Sequence, residues 1–256
     1  MNNYCRIQCF GCLKVPIKKW IVDSHISINR LYYILGGDGG YIKGDKKHPF
    51  IKGHLYLLPG FADITVYTSY DPLENRLNHS FVNFEMLPPI ISNEVIELDP
   101  ADDPEVEMAL GILNSICKKR MSVDIDTMDK TDTEYLRSTI IYLTQKMISH
   151  SNVKLLEDPV VLKTLEMMHT NLSATPSIAE MAKECSMSID GFIRRFKKNM
   201  GEPPYLYLKK LRVSAAMEYK KNGVPLEQIA EKCGYSDAST LSHAIARTLK
   251  KEPPFR

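Results

Sequence analysis

The chain has one tryptophan in 256 residues and no apolar run approaching 18 residues. A bilayer-crossing helix needs about 20 consecutive apolar residues, so none is expected. Met1 to Val22 offers no apolar stretch long enough for a secretory leader, and its lysines come late. A cytoplasmic, reducing location follows, in which the six cysteines are thiols. There is no glycine-rich phosphate loop and no nucleophile paired with a base. No enzyme and no cofactor are therefore expected. Composition is ordinary for a globular chain, at 44% hydrophobic and 25% charged, which argues against disorder.

The near-zero net charge of +2 hides an asymmetry. Residues 159–256 carry 16 Lys and Arg against 10 Asp and Glu, whereas residues 1–158 carry 17 against 21. The basic part also contains a repeat. Ser177–Phe196 and Pro225–Ile245 have matching patterns: Ala182 with Ala230, Cys185 with Cys233 and Met187 with Tyr235, each 48 apart. Beyond the turn the offset is 49, pairing Phe192 with Leu241 and Phe196 with Ile245. Each copy reads as a short helix, a tight turn and a longer helix with a polar face. That is the build of a helix-turn-helix, whose second helix can enter the major groove. Basic charge where the repeat lies suits phosphate binding.

Periodicity divides the chain. The first hundred residues read as short strands with Gly and Pro turns, which suggests a sandwich or barrel. Arg30–Leu35 reads as a strand, Gly36–Gly40 as a turn and Tyr41–Lys43 as the return. Further strands fall at Gly53–Leu58, Ile64–Thr68 and His79–Phe84. After Pro100–Pro104 the period becomes helical. Val106, Ala109, Leu110, Leu113 and Ile116 form one stripe; Leu136, Ile140, Leu143 and Met147 form another, behind a predicted capping box at Thr131–Glu134. These two helices would make a dimerisation seam or simply pack on the strands. Asp158-Pro159 opens an all-helical part. Capping signals there are Ser177–Glu180, Ser188, and Ser236 or Asp237. A helix from Tyr205 to about Lys221 separates the two motifs.

This arrangement resembles the AraC/XylS family of bacterial transcription regulators. The residues that carry the likeness are Ile178–Ala182, Phe196-Lys197-Lys198 with Gly201, Tyr205–Val213 with Ala215-Ala216, Ile229-Ala230, Gly234–Ser239 and Pro253-Pro254. The chain departs from the family at Ser186, which replaces a turn glycine. It departs again at Ile245-Ala246-Arg247, in place of a Phe-Lys-Lys run, and at Lys251. The expected fold class is α+β. It comprises a cupin-like β-barrel or sandwich (1–100), a helical dimerisation or linker segment (101–157) and an all-α DNA-binding domain (158–256), with helix-turn-helix motifs at 177–198 and 225–249.

The expected function is sequence-specific binding of double-stranded promoter or operator DNA, as a homodimer, controlled by a small molecule such as a sugar, with RNA polymerase as a further partner. In the first recognition helix Phe192 and Phe196 face inward, leaving Asp190, Ile193, Arg194, Lys197 and Lys198 for the groove. In the second, Leu241 and Ile245 face inward, leaving Ala238, Ser239, Ser242, His243 and Arg247. An arginine such as Arg194 can fork onto guanine, worth ~1–3 kcal/mol of discrimination. The first recognition helix is expected to carry more base specificity. The linker helix, ~18 residues at 1.5 Å rise, spans roughly 27 Å, which suits recognition helices about one DNA turn apart. Its Lys209, Lys210, Lys220 and Lys221 are candidate phosphate contacts.

The resemblance also implies a sensor in the first domain. Its candidate ligand residues are Trp20, His25, Arg30, Tyr32, Tyr41, His54, Tyr56 and His79, a set suited to a sugar or a carboxylate. No His-x-His with a downstream Glu is present, so no metal is expected there. A rival reading rests on Cys5-x3-Cys9-x2-Cys12, the spacing of radical S-adenosylmethionine iron–sulfur enzymes. Gly11 stands where those enzymes place an aromatic, and no alternating βα pattern follows. A thiol-based redox or metal sensor is the other use of these cysteines.

Overall fold

Aromatic and β-branched residues crowd the first hundred positions, and there the chain forms strands. They are β1 (Tyr4–Lys14), β2 (Val22–Asp23), β3 (Asn29–Gly36), β4 (Gly39–Lys43), β5 (Lys46–Pro49), β6 (Leu55–Leu58), β7 (Thr65–Thr68), β8 (Asn78–Leu87) and β9 (Ile96–Leu98). The computed structural model describes residues 4–14, 22–23, 28–60, 62–68, 76–118, 123–124, 129–153, 155–221 and 223–250. The chain divides into two units, Met1–Leu155 and Leu156–Arg256.

In the first unit the strands make two open antiparallel sheets, not a closed barrel. With the two-residue strand β10 at Val123–Asp124, one has the order β10-β1-β8-β3-β6-β9 and the other β2-β7-β4-β5. The short β10 pairs with Cys9 and Phe10 of β1. The expected hairpin of Arg30–Leu35 with Tyr41–Lys43 does not form. β3 pairs with β6 and β8, while β4 pairs with β5 and β7 in the other sheet. The glycine run is therefore a crossing between sheets. Gly37 has φ +80, and a Cβ there would stand 2.0 Å from the carbonyl oxygen of Arg76. A turn pattern alone does not distinguish a hairpin from a crossing.

Two cores result. Between the sheets lie Tyr32, Ile34, Phe50, Tyr56, Leu58, Val66, Leu77 and Phe81. On the other face of the six-stranded sheet pack α1 (Pro104–Lys118) and α2 (Lys130–Ser149). Their stripes, Val106, Leu110, Leu113, Leu136, Ile140, Leu143 and Met147, share one core with Ile7, Leu31, Leu57, Val82 and Phe84. The alternation along β3 and β8 explains this division, since neighbouring residues point to opposite faces. The start of α2 differs from the expected capping box. Asp129 is the N-cap and accepts from the Asp132 amide at 2.8 Å, so Thr131 lies inside the first turn. Aspartate caps a helix at least as well as threonine, so the helix starts two residues earlier than the Thr131 box would place it.

The second unit is helical: α3 (Pro159–Thr170), α4 (Ile178–Glu184), α5 (Ile189–Met200), α6 (Pro204–Lys221), α7 (Leu226–Lys232) and α8 (Ala238–Lys250). Among the described residues no helix is long and apolar enough to cross a membrane.

Candidate nucleic-acid interface

The first motif is α4, a turn and α5. Ser177 and Glu180 form the expected capping box: the Glu180 amide donates to Ser177 Oγ at 3.2 Å, and the Ser177 amide to Glu180 Oε2 at 2.8 Å. The turn passes through Ser186 at φ 54, a left-handed conformation in which a non-glycine residue is strained. Ser188 then caps α5, accepting from the Gly191 amide at 3.3 Å. Phe192 and Phe196 are buried, and the Phe196 ring meets Tyr207 of α6 edge-on at 5.8 Å. With that face inside, Asp190, Arg194, Lys197 and Lys198 are exposed, and Ile193 is half-buried beside them.

The neighbouring Arg195 is held elsewhere. Asp158, the N-cap of α3, accepts from Arg195 Nε at 2.9 Å and from Asn199 Nδ2 at 3.2 Å. Asp158 also accepts from the Val160 and Val161 amides. Partial burial would raise its pKa, but the Arg195 and backbone hydrogen bonds outweigh that and hold it below the usual carboxylate value. The recognition helix is thereby pinned to the first helix of the unit. The sequence reading missed this tie, whose only signal was an Asp-Pro helix start.

The second motif repeats the build with a one-residue shift after the turn. α7 starts 48 residues after α4, and α8 starts 49 after α5. Asp237 accepts from the Thr240 amide at 2.7 Å and from Thr240 Oγ1 at 3.0 Å, while Ser236 Oγ donates to it at 2.7 Å. The backbone bond from Thr240 and the two hydroxyls depress its pKa to about 2. Leu241, Ala244 and Ile245 are buried; Ser239, Ser242, His243 and Arg247 are exposed, with Ala238 half-buried. Thr240 is spent on the cap. The outer face of α8 is thus small hydroxyls, an imidazole and one arginine, where α5 presents two lysines and an arginine. On the linker helix, Lys210 is paired with Glu202 at 2.8 Å, and Lys209 is half-buried.

These features have known counterparts. The family described as "Helix-turn-helix domain" matches residues 181–254. A Streptomyces antibioticus protein named as an AraC-like transcription regulator is 33% identical over 99 residues, which are 38% of this chain and 33% of that protein. Over this domain the chain is similar to AraC-like transcription regulators. The HTH-type transcriptional regulator AlkR of Acinetobacter baylyi is 28% identical over 96 residues, 37% of this chain and 31% of AlkR. The chain thus spans about a third of the length of the curated relatives it matches. The fold similarity runs further. A crystal structure of ToxT from Vibrio cholerae covers 96% of this chain and 94% of ToxT, with a TM-score of 0.59 and 12% identity. An unsaturated-fatty-acid-bound ToxT structure has a TM-score of 0.59 at 12% identity, covering 95% of this chain and 91% of that one. At such identity the fold is what is shared.

The first unit places the other candidates. Tyr32, Tyr56 and His79 are buried between the sheets, and Arg30 is buried on β3. The Tyr32 and His79 rings lie 4.6 Å apart, and Phe50 joins Tyr32 at 6.2 Å, Tyr56 at 4.7 Å and Tyr41 at 6.1 Å. Phe50 and Phe81, which also touches His79, were not among the expected residues; each ends or continues an alternating strand pattern that pointed inward. Burial holds His79 down to about 4, so it is neutral at pH 7, and pushes the Tyr32 phenol up to about 12. His54 stands apart, with Nδ1 2.7 Å from Glu97 Oε1 and Nε2 3.7 Å from Asp99 Oδ2. Trp20 and His25 lie outside the described residues.

The three N-terminal cysteines are not brought together. Cys5 and Cys12 belong to the helix-side core and Cys9 to the core between the sheets. Alternation along β1, with its bulge between Ile7 and Cys9, separates them. Burial pushes the Cys5 thiol up to about 12, away from the thiolate a cluster needs. Among the described residues no group of three His, Cys, Asp or Glu could hold a metal ion.

Proposed function

We propose that the chain is a sequence-specific, ligand-responsive DNA-binding transcription regulator. The observation that carries this reading is the paired helix-turn-helix geometry, with α5 exposing Asp190, Arg194, Lys197 and Lys198 from a rigidly capped and pinned helix. Arg194 reads a base edge, and Lys197 and Lys198 meet phosphates. Ala238, Ser239, Ser242, His243 and Arg247 of α8 form the weaker second contact, with Ile193 adding an apolar contact in the first. The protein acts on promoter DNA in the cytoplasm, next to RNA polymerase, and carries out no catalysis.

Residues 1–100 serve as a cupin-like sensor, residues 101–157 as the dimerisation segment and residues 158–256 as the reader. Met108 and Tyr135 expose 72% and 61% of their surface on α1 and α2, and Ile112 is exposed as well, which supports pairing with a second copy there. For the effector, the buried Arg30 with the rings of Tyr32, Tyr56 and His79 supports a carboxylate with an apolar body over a sugar. The fatty acid of the ToxT structure points the same way.

Recovery of genomic fragments bound by the intact chain tests the central reading. A small set of enriched upstream segments is expected. Uniform recovery of all fragments would contradict sequence-specific binding.

A further inference from the structure

Arg212 sits near the middle of α6, between the two motifs. Its Nη2 donates to the carbonyl oxygen of Leu172 at 3.1 Å. Leu172 lies in the loop between α3 and α4, ahead of the first motif, yet its side chain packs against the core of the second motif with Val213, Ala216, Ile229 and Leu241. The turn of the second motif closes on the same pair. Gly234 has φ +72, and a Cβ there would stand 2.5 Å from the Leu172 oxygen and 2.7 Å from Arg212 Nη2. Three segments, the loop ahead of motif one, the linker helix and the turn of motif two, therefore meet at one guanidinium. Arg212 Nε is buried, so this side chain points into the domain and not to a phosphate.

The core that α6 shares with the second motif is apolar, with Val213, Ala215 and Ala216 meeting Ile229, Ala230, Leu241 and Ile245. Such packing is non-directional and tolerates small rotations. A charge-assisted hydrogen bond to a backbone carbonyl is directional and about twice as strong as a neutral one. At the equivalent turn of motif one the glycine position is Ser186, and the tie there comes from α3 instead of the linker helix, with Lys163 Nζ donating to the Glu184 carbonyl oxygen at 2.9 Å. We propose that Arg212 is a positioning residue that sets the orientation of α8 relative to α5, so that the two recognition helices address one duplex together. The proposal rests on the DNA-reading function above.

The test uses the full chain, with duplexes selected from a random-sequence pool by the wild-type protein. Affinity is measured on each duplex and on a copy with the second recognition block scrambled. For wild type, scrambling is expected to weaken binding on the order of tenfold or more, the usual cost of losing one or two base contacts. For Arg212→Gln, affinity for the scrambled duplex is retained and the gain from the second block falls below about threefold. Arg212→Lys, which keeps a cationic donor, recovers part of the gain. A lesion that merely destabilised the domain would lower both affinities together. The proposal is overturned if a folded Arg212→Gln keeps the wild-type ratio, if both duplexes weaken alike, or if wild type gains nothing from the second block. Should Arg212→Gln fail to fold, the ratio for Arg212→Lys decides, an unchanged ratio counting against the proposal. If wild type selects no duplex at all, the DNA-reading function itself fails.

Discussion

Arg195 of the recognition helix is clamped by Asp158, 2.9 Å from its Nε, while Arg194 beside it is exposed. One arginine is held by the fold, and the proposed DNA-reading function gives the other to the nucleic acid. Arg194→Ala should weaken binding to selected DNA by ~1–3 kcal/mol and relax preference at one base pair, with melting unchanged. Arg195→Ala should lower the melting temperature slightly and leave base preference intact, because the pair is partly exposed and worth ~1 kcal/mol or less. Binding-site selection and thermal melts on both variants distinguish the two roles.

Lys197 and Lys198 are assigned to phosphates. Replacing either with alanine should weaken all sequences about equally. The slope of log affinity against log salt should fall by roughly one unit. A slope unchanged in both variants would remove them from the interface.

The two turns differ in what they require. Ser186 carries a side chain at a positive φ, so Ser186→Gly should stabilise the unit by about 0.5–1 kcal/mol. At Gly234 both φ and space are restricted, so Gly234→Ala should be strongly destabilising. Denaturant titration of the two variants gives opposite signs if this is right.

His79 makes the first unit sensitive to acid. Its pKa in the folded chain is about 4, against an ordinary 6.5, so the unfolded chain takes up a proton first as pH falls. Stability is then full above about pH 6.5 and declines between pH 6.5 and 4, by up to ~3 kcal/mol. His79→Gln should flatten that decline. Melting temperatures across this range in both proteins test it, and a parallel decline would mean that other groups are responsible.

Much of the reader was legible in the sequence, because local chemistry fixes it. The capping residues Ser177, Glu180 and Ser188 act within one helical turn, and Phe192 with Phe196 announces the buried face. The change of offset from 48 to 49 corresponds to one extra residue in the second turn, between α7 and α8. What stayed hidden was long-range. The Asp158–Arg195 clamp spans 37 positions and the Arg212–Leu172 bond 40, and no periodicity encodes either. The crossing at Gly37 was hidden for the same reason, since only the approach of Arg76 shows why the chain changes sheets there.

The most direct test of the account is selection of duplexes from a random-sequence pool by the intact chain, with Arg194→Ala run in parallel. Two conserved blocks about 10 base pairs apart are predicted, the stronger one losing a single position in the variant. Absence of any enriched sequence, or identical motifs from the two proteins, would contradict it.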